Sequence, residues 1–237
     1  MPILSAAIMA HDKRAAMVEQ LVGQLDRPTP VVWDRVRDRH DTGIRAIEAY
    51  GPAATHHLVL QDDVVVPGNL LAGVERALKY VPQDSPLCLY TGRVKPFPAE
   101  ISRAVRQAGD SASWLRMQGI YWGPGIVVPT ADIPALTEWW RGEGNIITNY
   151  DRRVSAFFAL RNRDVWYPWP SLVDHRDTDS LVAGHGRRRH AYSFIGEHAD
   201  AATVDWTGRV VDVPRSDKLD DARQLRAKRK QRQKVLA

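Results

Sequence analysis

Apolar and polar positions along this chain switch repeatedly between a two-residue and a helical period. The run Ile3–Met9 is apolar and predicts a buried strand. Asp12–Leu25 then places Ala16, Val18, Leu21, Val22 and Leu25 on one stripe, which predicts a helix. Pro28 and Pro30 break the chain before Val31-Val32-Trp33, a second short strand that stops at Asp34. Thr42–Tyr50 predicts a helix with Ile44, Ala46 and Ile47 inward and Gly51-Pro52 as its stop. His57–Gln61 predicts a third strand, Leu70–Tyr80 a helix with Leu71, Val74 and Leu78 on one face, and Leu87–Tyr90 a fourth strand. Alternating strands and helices predict an α/β fold: a mostly parallel central sheet with helices on both faces.

The middle of the chain is less regular. Trp114–Gln118 and Ile126–Val128 predict strands around the glycine-rich segment 119–125. Ile133–Trp140 and Tyr150–Leu160 predict helices, and Val165–Tyr167 a strand before the Pro-Trp-Pro turn. Residues 176–213 have little periodicity and many Gly, Arg and His, which predicts a long functional loop or flap.

Composition sharpens this picture at three points. The net charge of +5 is a property of the end of the chain: residues 215–237 hold nine Lys or Arg against three Asp, leaving 1–214 at −1. We therefore expect one domain over 1–214 and a basic tail over 215–237, either solvated or bound to an anionic partner. The single cysteine, Cys88, excludes an internal disulfide, sits in an apolar run as a small core residue and fits a reducing compartment. The apolar N-terminus lacks a basic leader and reads as a strand, and no stretch approaches the ~20 apolar residues of a membrane helix. The expectation is a cytoplasmic protein without a membrane span.

The chemistry concentrates at the end of the third strand, in Gln61-Asp62-Asp63. A buried strand has no structural need for paired acids at its carboxyl edge, which is where open α/β sheets bind ligands. Adjacent carboxylates repel unless a cation lies between them, and Mg²⁺ or Mn²⁺ bridging to a diphosphate is one answer. Capping of the next helix is the plainer reading, but Val64-Val65-Val66 intervenes and Asn69 is the better-placed cap. Asp151, at the start of a helix, reads equally as a cap or as a general base. His175 follows a Pro-rich turn; neutral imidazole suits Mn²⁺ or Zn²⁺ and would complete a site begun by carboxylates. Tyr121 and Trp122, among glycines, are a platform for a sugar ring or part of the core. Arg187, Arg188 and Arg189 are candidates to clamp a diphosphate.

Taken in order, these pieces resemble GT-A-type glycosyltransferases, small bacteriophage-encoded members among them. The resemblance runs over roughly residues 1–180 and rests on the order of features. It implies a single GT-A-like, Rossmann-like domain, a nucleotide-diphosphate sugar donor, Mn²⁺ or Mg²⁺ held by Asp63 and His175, and a ribose or metal contact from Asp62. It also implies donor contacts from His11, Arg14 and Asp34, and catalysis by Asp151 as the base of an inverting transfer. The acceptor is open between protein, glycan, lipid and a modified DNA base. Gln61 departs from the family, which often has an acid there. Two other readings compete: a nucleotide or nucleic-acid binding module led by the tail, and a nucleotidyltransferase using the same acid pair. No zinc-finger, RNP or helix-turn-helix signature favours the former.

Overall fold

In the computed structural model of this protein, residues 1–93, 98–147, 149–176, 178, 181 and 189–214 are described. In chain order the elements are β1 (Leu4–Ala10), α1 (Ala15–Gln24), β2 (Val31–Trp33), α2 (Arg39–Glu48), β3 (His56–Gln61), β4 (Val64–Val65), α3 (Leu70–Ala77) and β5 (Leu87–Cys88). Then follow α4 (Pro98–Ala108), β6 (Ala112–Met117), β7 (Gly125–Pro129), α5 (Ile133–Arg141), α6 (Tyr150–Ala159), β8 (Val165–Pro168), β9 (Asp174–His175) and β10 (Arg209–Asp212).

Eight strands form one sheet in the order β10-β6-β8-β5-β7-β3-β1-β2. The pairs β1/β2, β1/β3, β5/β8 and β6/β10 are parallel; β3/β7, β5/β7 and β6/β8 are antiparallel. The fold is therefore mixed α/β with a mostly parallel sheet, as the alternation predicts. β3 shows how the sheet acquires two cores. Leu58 and Leu60 point to one face, against Leu21 of α1 and Leu70, Leu71 and Val74 of α3. Val59 points to the other, with Ile44 and Ile47 of α2, Leu136 of α5 and Phe157 and Phe158 of α6. Each such side chain, fully buried, contributes roughly 1.5–3 kcal/mol.

Three expectations change. Asn69 does not cap α3: it sits in the left-handed region (φ 54) and makes no capping bond. The amides of Leu71 and Ala72 instead donate to Asp26, at 2.8 and 3.0 Å, across the structure. α4 is an element beyond those the pattern predicts, with Ile101, Ala104 and Ala108 buried along one stripe. The segment 189–214 is no loose flap. Tyr192 N donates to Thr91 O at 2.7 Å, Ser171 N to Ser193 O at 2.9 Å, and β10 adds the sheet's last strand. Trp206 is buried with its ring 5.0 Å from that of Trp114. The same segment locks α3: a Cβ on Gly73 would come within 2.6 Å of the Ala201 carbonyl oxygen, so only glycine allows this approach. Its anchors are single backbone bridges and isolated apolar residues, which leave no period in sequence.

Candidate functional site

The register of the three parallel strands aligns their carboxyl ends. Ala10 pairs with Trp33 and Met9 with Gln61, so His11, Asp34 and Asp62-Asp63 emerge side by side. β4 then pairs antiparallel with β9, setting Val64 opposite His175 and so bringing that histidine to the acid pair.

Both acids are buried, Asp62 at 5% and Asp63 at 2% exposure. Asp62 accepts from the His11 amide (2.7 Å) and from Arg14 Nη1 (2.7 Å). Arg14, itself buried, also reaches Asp63 Oδ2 at 3.0 Å, so one guanidinium spans the pair. Asp63 Oδ2 takes a second cation, Arg189 Nη2 at 3.1 Å, from 126 residues further along the chain. His175 Nδ1 lies 3.5 Å from the same oxygen, at ion-pair distance. Asp63 Oδ1 and His175 Nδ1 are both buried with no hydrogen-bond partner among the described residues.

The environment treats the two carboxyls differently. Burial pushes Asp62 up, only partly offset by Arg14 and the His11 amide. At Asp63 burial acts in the same direction, but His175, Arg14 and Arg189 outweigh it and hold the carboxyl below the usual range. Asp63 is thus the firmly ionised member, the form a hard cation needs.

Around the pair, Tyr90 packs edge-on to His175 (5.2 Å between centroids), and its hydroxyl donates to the Arg189 carbonyl oxygen. Burial and the nearby Asp174 push that hydroxyl up, keeping it a donor. Asp174 Oδ1 accepts from the amides of His175 (2.8 Å) and Ala191 (2.6 Å), tying β9 to the strand of chain that carries Arg189.

The remaining predicted residues divide. His11 Nδ1 accepts from Lys13 N at 3.2 Å and so caps the turn Asp12–Arg14. Asp34 Oδ1 accepts from the amides of Val36 (3.1 Å) and Asp38 (3.3 Å), shaping the turn after β2. Asp151 is half-buried in the first turn of α6, and its Oδ1 accepts from Arg152 N at 2.9 Å. Its neighbour Tyr150 shares the space beside Gly123 with Gln61, since a Cβ there would come within 2.6 Å of Gln61 Nε2 and 3.4 Å of the Tyr150 ring. The start of α6 therefore borders the strand end that carries the acids. Trp122 is half-buried between Tyr90, Tyr121 and Tyr167, with centroids 5.9–6.1 Å away, and packs against both cores. Cys88 is fully buried and its thiol is pushed up to about 12 by burial, which leaves it inert. Arg187, Arg188 and the basic tail 215–237 lie outside the described residues.

Among the described residues no three His, Cys, Asp or Glu side chains group as a ready metal cage. Two candidate ligands do come together, and the atoms that lack a hydrogen-bond partner among the described residues, Asp63 Oδ1 and His175 Nδ1, are a carboxylate oxygen and an imidazole nitrogen, a donor set suited to Mn²⁺. The residues fit a divalent ion that takes its other ligands from a diphosphate and water. Sequence reasoning missed Tyr90 and Asp174, which hold the site from outside the acid motif, and the carboxylate contacts of Arg14. No helix among the described residues is long and apolar enough to cross a membrane.

No family model matches the chain, and no curated protein matches it. Among solved structures, one similar chain is a glycosyltransferase involved in glycosylation of the major capsid of PBCV-1. It is 14% identical, the match covers 76% of this chain and 95% of that one, and the TM-score is 0.37. Another is the Drosophila beta-1,4-galactosyltransferase 7 in complex with manganese, UDP-Gal and xylobiose, 10% identical over 78% of each chain with a TM-score of 0.38.

Proposed function

We propose that this chain is a metal-assisted glycosyltransferase that moves a sugar from a nucleotide-diphosphate sugar to an acceptor hydroxyl. The observation that carries the reading is the buried pair of unpartnered ligand atoms, Asp63 Oδ1 and His175 Nδ1, at the carboxyl end of β3. Most buried polar groups are bonded; among the described residues these two are not, and they are a carboxylate oxygen and an imidazole nitrogen at one strand end, where a divalent ion could use both.

Asp63 and His175 would hold Mn²⁺ or Mg²⁺. When bound, the ion neutralises charge developing on the diphosphate leaving group. Asp62, fixed by the His11 amide and Arg14, forms the floor of the site and a contact to ribose or metal. His11, Arg14 and Asp34 line the strand ends where the nucleoside lies. Asp151 accepts the proton of the attacking hydroxyl, and attack from that side inverts the anomeric centre. The acceptor is a hydroxyl on a protein, glycan, lipid or modified DNA base, with the domain at 1–214 and the basic tail at 215–237 available to an anionic one.

The test needs no acceptor. The protein is incubated with a panel of nucleotide sugars in Mn²⁺, Mg²⁺ or EDTA, and release of nucleoside diphosphate is followed, with Asp63→Asn as control. Metal-dependent release from one donor, lost in the variant, is the expected result. No release and no donor-induced thermal shift would remove the reading, and pyrophosphate release from a nucleoside triphosphate would replace it with nucleotidyl transfer.

A further inference from the structure

The acid pair is already neutralised from within. Two carboxylates, Asp62 and Asp63, face two guanidiniums, Arg14 and Arg189. A divalent ion added to this buried arrangement brings two uncompensated positive charges into a poorly screened place. Either an anion must arrive with it or a guanidinium must leave.

The two arginines are not equivalent. Arg14 bridges both acids and its side chain is 9% exposed, so it is built into the floor. Among the described residues the Arg189 guanidinium pairs with Asp63 and not with Asp62, and its side chain is 26% exposed. Its backbone is pinned, by the Tyr90 hydroxyl on its carbonyl oxygen and by Asp174 on the Ala191 amide two residues on, while the guanidinium end has one ionic partner among the described residues. A long, planar, always-charged group anchored at its root and lightly held at its tip is suited to exchanging a carboxylate for a phosphate.

We propose that Arg189 is a surrogate cation that couples metal to diphosphate. Its guanidinium holds Asp63 until the metal claims that carboxylate, and then pairs with the diphosphate that arrives with the metal. This rests on the metal-and-diphosphate reading of the site. It makes Arg189 a positioning residue, and it makes Mn²⁺ alone a poor ligand and Mn²⁺ with diphosphate a good one.

Two titrations test it on the full chain. The electron paramagnetic resonance signal of free Mn²⁺ gives metal affinity without nucleotide. Calorimetry in excess Mn²⁺, with UDP, GDP and ADP as probes, gives diphosphate affinity. Arg189→Gln is expected to bind Mn²⁺ alone about tenfold tighter than wild type and its diphosphate about tenfold weaker, the scale of one lost charge-assisted bond. Arg189→Lys, which keeps a cation, is expected to stay near wild type in both. The opposite signs are the signature, because a merely structural arginine would weaken both affinities together. Affinities that move in the same direction, or do not move, overturn the proposal. If wild type binds neither Mn²⁺ nor any diphosphate and Asp63→Asn behaves identically, the underlying reading fails and takes this one with it.

Discussion

The two ends of β3 carry buried polar side chains with opposite accounting. At the start, His57 donates from Nε2 to the Ala46 carbonyl oxygen (2.8 Å), and its Nδ1 lies 2.8 Å from Ser5 Oγ. His56 is likewise bonded at both nitrogens, to Thr55 Oγ1 (2.9 Å) and the Gln83 carbonyl oxygen (3.1 Å). At the finish, Asp63 has one oxygen crowded by two guanidiniums, and among the described residues its other oxygen and His175 Nδ1 have no hydrogen-bond partner. A satisfied pair opens the six-residue strand and an unsatisfied one lies just past its end. Burial and residue type are alike; partner accounting is what separates a structural histidine from a candidate ligand.

That contrast can be broken first at Asp63. Asp63→Asn is expected to lower metal-dependent donor turnover by at least about a hundredfold, the scale for losing an electrostatic stabiliser, while circular dichroism shows a native, cooperatively melting fold. His57→Ala is expected to do the reverse. It leaves the Ala46 carbonyl without its donor and opens a cavity, so urea unfolding should show a loss of about 2–4 kcal/mol, with turnover per folded molecule unchanged.

The pH dependence of stability sharpens the same point. Burial pushes His57 down from 6.5 to about 4, against weaker upward pulls from Ala46 and Ser5. The folded state therefore resists protonating it while the unfolded chain takes up the proton, so stability is full above pH 6.5 and falls as pH drops toward 4. Between pH 7.5 and 5 the difference in unfolding free energy attributable to His57 is about 2 kcal/mol, present in wild type and missing from His57→Gln. The smallest effect belongs to Asp26, a carboxylate whose two oxygens cap α3. Asp26→Ala should cost about 1 kcal/mol in stability and nothing in turnover. If it abolished turnover, partner accounting would not distinguish carboxylates in this fold.

Legibility in sequence followed the range of the forces. β1, β2, β3 and α3 announce themselves because a strand or helix buried against a sheet needs an apolar period that neighbouring residues alone can show. The acid pair was legible for the converse reason, as charge placed where the period demands none. Asp26 on α3, and Arg14 and Arg189 on Asp63, were not: each is a single side chain meeting a partner 45 or more residues away, and no local spacing records that. The segment 189–214 hid for a related reason. Trp206 and β10 are held by long-range packing against β6, so the stretch looks aperiodic while it closes the sheet.

The central claim is that Asp63 and His175 share a divalent ion. Crystals grown with Mn²⁺ and the nucleoside diphosphate of the preferred donor, measured at the manganese absorption edge, test it most directly. The expected result is an anomalous peak between Asp63 and His175, with Arg189 turned from the carboxylate toward phosphate. A diphosphate bound at the strand ends with no peak there, and with Arg14 and Arg189 still on the acids, would contradict it.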